Sequence, residues 1–184
     1  MADLAGTKPT YYGFAGAIDD AGVSRIAAAM NLAVNQGCDE VHLAITSLGG
    51  HVHAGIYLYN HIRAMPTRVI AYNMGSVSSI AVAVFVAAER RYCSPNAMFM
   101  IHPTAFPSLS GMTWERLRSV SDAALADDER TERILRERTR LPDHLLQARR
   151  FSDVYISPDD AVAHGLVDGI AEFKVPSGFQ IIQI

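Results

Sequence analysis

In the segment Gly75-Ser76-Val77-Ser78-Ser79, three serines stand between an apolar strand pattern and an apolar helical run. A serine at such a junction meets unpaired backbone N–H groups and the positive end of a helix dipole. An acyl-transfer nucleophile gains there, because its tetrahedral oxyanion forms beside those groups. The same residues are good caps and turn formers, so turn chemistry alone does not choose among Ser76, Ser78 and Ser79. The order also lacks the second glycine of the Gly-x-Ser-x-Gly elbow. A serine nucleophile needs a base, and the chain has seven histidines. His102 fits best: it follows the apolar residues 98–101 and precedes Pro103, so it projects from a strand end. An isolated histidine in that position is as a rule a surface residue. A carboxylate should orient the imidazole. Asp153, Asp159, Asp160 and Asp168 all lie downstream, and composition does not decide among them.

Ser47-Leu48-Gly49-Gly50 follows another strand pattern. Paired glycines let the backbone approach a ligand, which suits half of an oxyanion hole or a peptide-binding edge; they suit a plain strand-to-helix turn equally well. His51-x-His53, with His61, raises a metal site, since alternating histidines on a strand would share one face. No cysteine or acid stands near them at a ligand-like spacing, so the expectation is no metal. In residues 127–140 acids and bases alternate, which reads as a solvated helix with internal ion pairs.

The elements that must position these residues alternate between strand and helix patterns, which indicates an α/β fold. Strand patterns lie at 11–18, 40–46, 68–73, 91–94, 98–101, near 166–167 and at 179–184. A helix over 23–36 is capped by Asp19 or Asp20 and ended by Gly37, and a second runs from about residue 54 to 64. The all-apolar run 80–88 should form a buried helix. A long helical pattern covers 112–140, Pro142 opens a short helix, and Ser157-Pro158-Asp159-Asp160 is a helix start. With 184 residues, 49% apolar and 19% charged, the chain can build a real core, so whole-chain disorder is excluded. A net charge of −3 argues against nucleic acid as the main partner. The two cysteines make no disulfide framework. No apolar run approaches the roughly 20 residues of a membrane span, and residues 1–10 lack signal-peptide character. The expectation is a cytoplasmic protein with no membrane partner.

In order along the chain, four segments resemble the Clp protease proteolytic subunit family. Ile45-Thr46-Ser47-Leu48-Gly49-Gly50 with Ala54-Gly55 is similar to the family's Ile-Asn-Ser-Pro-Gly-Gly turn and its downstream Ala-Gly. Gly75-Ser76-Val77-Ser78-Ser79-Ile80-Ala81 resembles the nucleophile turn. Residues 92–96, Tyr-Cys-Ser-Pro-Asn, followed by Met100-Ile101-His102-Pro103, are similar to the histidine segment. Phe151-Ser152-Asp153, Ser157, Ala161-Val162 and Gly165-Leu166-Val167-Asp168 are similar to the segment of the third catalytic member. The likeness covers about residues 11–170. Leu48 stands where the family has proline, Val77 where it has alanine, and Phe151-Ser152 where it commonly has an Asp-Arg pair.

The resemblance implies a crotonase-like α/β spiral of β-β-α units with a protruding handle helix. It implies a short tail at 1–10, one domain at 11–184 and a handle at about 104–140. It makes Ser79 the nucleophile, His102 the base and Asp153 the orienting acid. The backbone N–H groups of Gly50 and Ile80 become the oxyanion donors, and Gly49, Gly50, His51 and Val52 the substrate-binding edge. The activity implied is serine endopeptidase hydrolysis of unfolded proteins or peptides, with no cofactor, in a homo-oligomeric ring. An ATP-driven unfoldase is the family's partner, but the ten residues before Tyr11 are too few for the axial loop and helix that would dock one. Two other readings compete: a catalytically silent ring subunit, and an acyl-CoA-handling enzyme of the same broad fold.

Overall fold

Residues 8–105 and 110–184 are described by the computed structural model. Residues 1–7 of the expected tail and 106–109 of the expected handle lead-in lie outside the described residues. β1 (Pro9–Ala15) leads into α1 (Asp20–Asn35), capped by Asp19, whose Oδ1 accepts from the Gly22 N–H at 2.8 Å. β2 (Glu40–Ser47) alternates half-buried and buried side chains along its length, as a strand with one core face must. α2 (Val52–Ala64) and β3 (Arg68–Ser78) follow, then α3 (Ile80–Phe85), buried at every position as its all-apolar sequence requires. β4 (Arg90–Cys93) and β5 (Met98–Ile101) flank the Pro95-Asn96 turn. The long α4 (Trp114–Arg138) is capped by Thr113 and followed by α5 (Asp143–Ala148). β6 (Val154–Ile156), α6 (Pro158–Ala163), β7 (Gly169–Ile170) and β8 (Ile181–Gln183) complete the chain, with Ser157 capping α6 as expected.

The strands form one sheet in the order β6-β5-β3-β2-β1-β8, with β4 branching from β3 and β7 pairing with β4. Every pairing is parallel except β5 with β6. β3 is where the sheet forks: its first half pairs with β4, its second half with β5. Between the two halves the β2–β3 register shifts, Ile45 opposing Asn73 but Ser47 opposing Val77. Side chains satisfy the backbone of the extra residues. Asn73, fully buried, accepts from the Gly75 N–H at 3.0 Å and donates from Nδ2 to the Met98 carbonyl at 2.9 Å. Thr46 Oγ1 accepts from the Ser76 N–H and donates to the Ser76 carbonyl. The sequence pattern ends this strand at residue 73 and makes 75–79 a turn; the bulge and the β5 pairing instead extend it to Ser78.

Other departures have local causes. α2 begins at Val52 rather than near residue 54; its N-cap His51 makes no side-chain capping bond, so nothing in the residue types marks the start. β7 lies at 169–170, while Leu166 and Val167 are buried packing residues. The charged half of α4 is not simply solvated. Glu132 is buried and binds Arg136 and Arg150, and Asp128 faces buried Arg149 on the turn after α5. Asp128, Thr131, Glu132 and Leu135 fall on one helical stripe, which packs inward.

Candidate active site

The end of β3 presents Ser79 in a conformation that only it, among non-glycine described residues, adopts: φ 58°, ψ −134°. Positive φ costs a side-chain-bearing residue about 1–3 kcal/mol, and such outliers gather at functional sites. Three contacts hold it there. The Ser79 N–H donates to the Met100 carbonyl at 2.8 Å, tying the end of β3 to β5. All six residues of α3 are buried just beyond it. Gly49, at φ 102°, packs directly against it: a β-carbon on Gly49 would fall 2.6 Å from Ser79 Cβ and 3.1 Å from Ser79 Oγ. That contact, together with the positive φ, explains glycine at position 49.

β5 ends at Ile101 and delivers His102 to this point. His102 Nε2 lies 2.8 Å from Ser79 Oγ, within direct proton-transfer distance. Beyond it, Thr104 anchors the chain to α4: its N–H and its hydroxyl each donate to Asp128 Oδ1 at 2.8 Å. Buried Arg149 donates to the Asp128 carbonyl and to Thr131, and burial pushes its pKa down from the ordinary arginine range while Asp128 and Glu132 oppose that shift. Sequence reading missed this support. Asp128 and Arg149 carried no signal of it, because their partners come from other elements.

Asp153 immediately precedes β6. The antiparallel register pairs Phe99 with Ile156 and Ile101 with Val154. Val154–Ile101 is the last pair of that ladder, so Asp153 and His102 each lie one residue beyond it. Asp153 is exposed, and among the described residues no hydrogen bond joins it to His102. Two of the other candidate acids are engaged in structure. Asp160 serves the Ser157 cap, and Asp168 Oδ2 accepts from the Arg91 N–H at 2.8 Å. Asp159 lies in the exposed first turn of α6.

A cavity of about 470 Å³ opens over the pair, lined among others by Leu48, Gly50, Ser79, Ile80, His102 and Thr104. Gly50 bridges Ile18: the Ile18 N–H donates to the Gly49 carbonyl and the His51 N–H to the Ile18 carbonyl. A β-carbon on Gly50 would sit 2.4 Å from the Ile18 carbonyl oxygen, so this approach needs glycine. Ile80 is the first residue of α3, so its N–H has no acceptor within the helix. His51 is extended and exposed, and Val52 is already helical, so the extended stretch of the expected substrate edge ends at His51.

Of the other histidines, His51 and His53 line the same cavity, whereas His42 and His61 do not. His42 stacks on Tyr11 and sits 2.7 Å from Glu40. His61 stacks on Tyr57 and stays apart from His51 and His53, which belong to a loop and a helix start rather than a strand. No helix of the described residues is long and apolar enough to cross a membrane.

The Clp protease family model matches residues 13–174. An ATP-dependent Clp protease proteolytic subunit 2 of Pseudomonas aeruginosa is 26% identical over 157 residues, covering 84% of this chain and 77% of its own length. An ATP-dependent Clp protease proteolytic subunit of Arabis hirsuta is 30% identical over 142 residues, covering 76% of this chain and 72% of its own length. Among solved structures, a ClpP1 point mutant from Listeria monocytogenes superposes with a TM-score of 0.77 at 22% identity, over 91% of this chain and 92% of that one. The α/β fold with its handle helix is therefore the crotonase-like type that the sequence resemblance implied.

Proposed function

The chain belongs to the Clp protease family, a family of serine endopeptidases, and from that premise we propose that it cleaves unfolded polypeptides or peptides with Ser79, His102 and Asp153. The 2.8 Å contact between His102 Nε2 and Ser79 Oγ carries the reading. His102 takes the Ser79 proton as Oγ attacks the scissile carbonyl, and later gives a proton to the leaving amine. Asp153 holds the imidazole tautomer. The Gly50 and Ile80 N–H groups receive the oxyanion. Water then attacks the acyl-enzyme by the reverse sequence, which needs no cofactor.

Substrate lies extended beside Gly49, Gly50 and His51 and pairs through its main chain, so selectivity for side chains is modest. Its relatives' names speak of ATP dependence and a proteolytic subunit. On that basis we place the chain in a homo-oligomeric ring.

Purified chain is expected to hydrolyse a fluorogenic peptide and to take up a fluorophosphonate on Ser79. Ser79→Ala should remove both. Asp153→Asn should keep the fold and lower kcat by about 10²–10⁴-fold, the consequence of a misplaced tautomer. Full hydrolysis by Ser79→Ala would overturn the proposal, and an unaltered rate in Asp153→Asn would remove that residue from it.

A further inference from the structure

Asp20, His51 and His53 form a cluster beside the Ser79–His102 pair, and their potential ligand atoms all lie within 4.8 Å of one another. The acid that the sequence pattern lacked near these histidines comes from 33 residues before His53. The Ile18–Gly50 bridge brings it in: with the residue-18 backbone bonded to Gly49 and His51, the start of α1 lies beside the start of α2. His53 Nε2 is 3.3 Å from Asp20 Oδ1, and the His51 and His53 rings stack with centroids 5.5 Å apart.

These side chains have little structural employment. An exposed His–Asp pair contributes next to nothing to stability, and the His51 side chain caps nothing. Their chemistry instead matches a metal. Zinc bonds of roughly 2.0–2.2 Å to imidazole and carboxylate, at the tetrahedral angle, set ligand atoms about 3.3 Å apart. His53 and Asp20 already have that separation. No gap exceeds 4.8 Å, so the ligand atoms reach that spacing by a movement of at most about 1.5 Å, within the range of exposed histidine rotamers. Two ring nitrogens and one carboxylate suit zinc and its late first-row neighbours, whereas magnesium and calcium prefer all-oxygen shells.

We propose that Asp20, His51 and His53 bind one divalent late first-row cation, zinc fitting best, at the rim of the Ser79 cavity. Water completes its shell. His51 and His53 both line that cavity, and His51 follows Gly50 directly. The cation therefore fastens α1 to the stretch along which an extended substrate would lie. Resting on the peptidase reading, the consequence is a brake: bound zinc obstructs the substrate edge and slows hydrolysis.

Cobalt(II), titrated into the full chain, reports the site by its visible absorption, and zinc displaces it. One equivalent should bind per chain. Affinity should fall at least about tenfold in Asp20→Asn and in His53→Ala, and stay unchanged in His144→Ala, an exposed histidine elsewhere. Equal affinity in all variants, or no uptake of cobalt or zinc at micromolar concentration, overturns the site. In the peptide assay, zinc should slow the natural chain. Asp20→Asn should keep its metal-free rate and lose the zinc effect. Zinc binding with no change in rate overturns the brake alone. A chain that hydrolyses nothing sinks the peptidase reading, while the cobalt titration still decides the metal site.

Discussion

Ser79 holds a backbone angle that costs stability, and the atoms around it leave no slack. Its β-carbon and hydroxyl lie against Gly49, whose φ of 102° already excludes most side chains. A methyl group at residue 49 must displace either the Ser79 side chain or the 49–50 peptide, and so disturb the nucleophile or the Gly50 N–H. Misplacement of reacting groups by about 1 Å costs roughly 10²-fold in rate. Gly49→Ala is thus expected to lower kcat/KM for a fluorogenic peptide by about that factor while the chain remains folded by circular dichroism. Gly16→Ala is the control: its β-carbon would meet nothing closer than 3.5 Å, and its φ is ordinary. Equal losses in the two variants would show that residue 49 has no special hold on the nucleophile. His102 was the best placed of seven histidines by its strand end and the following proline, but those features alone also describe an ordinary surface histidine. Ser79 was not separable from Ser76 and Ser78 by residue type, because what distinguishes it is a bulge whose hydrogen bonds come from Asn73 and Thr46.

At the level of elements, residue type marked the ends that local chemistry fixes. Asp19 and Ser157 cap as expected, and the all-apolar run after Ser79 is buried. The features that went unseen depend on partners distant in sequence: the register shift in β3, the Ile18–Gly50 bridge that brings Asp20 to His51, and the inward stripe of α4. That stripe has two parts with separable roles. Asp128 holds Thr104, two residues beyond His102, whereas Glu132 joins α4 to Arg150 and also binds Arg136 one turn along the same helix. Burial raises the Glu132 pKa, but the hydrogen bonds and charges of Arg150 and Arg136 outweigh it, and the carboxyl ends below its ordinary range. A folded-state value below the unfolded one stabilises the protein above the unfolded pKa, and that stabilisation is lost as pH falls through the lowered value. Glu132→Gln should therefore reduce stability near neutral pH by about 1–3 kcal/mol, with the difference shrinking in acid, and leave fluorophosphonate labelling of the folded chain unchanged. Asp128→Ala should slow that labelling, because it frees the segment carrying His102. Denaturant titrations across pH together with labelling rates test the pair. Slowed labelling in Glu132→Gln but not in Asp128→Ala would reverse the assignment.

Across the described residues, several large apolar side chains stand exposed. α4 has 25 residues, about 37 Å of helix, yet its only buried residues are Ala124, Glu132, Ile134 and Leu135. Its first half carries Trp114, 72% exposed, and Leu125, 59% exposed, and Phe151 beyond α5 is 88% exposed. Isolated exposed apolar residues are ordinary, but a long helix projecting large ones suits a surface completed by further copies of the chain. The ring reading therefore requires that assembly bury part of α4. Trp114 is the single tryptophan, so its emission reports the handle alone. Dilution should shift that emission to longer wavelength as the particle mass measured by sedimentation falls. Leu125→Glu introduces a charge that must be desolvated in any such contact. It should give smaller particles at every concentration, with the long-wavelength emission throughout. A chain that sediments as a monomer at micromolar concentration, with emission independent of dilution, would leave the handle a solvent-facing arm and remove the ring from the proposed function.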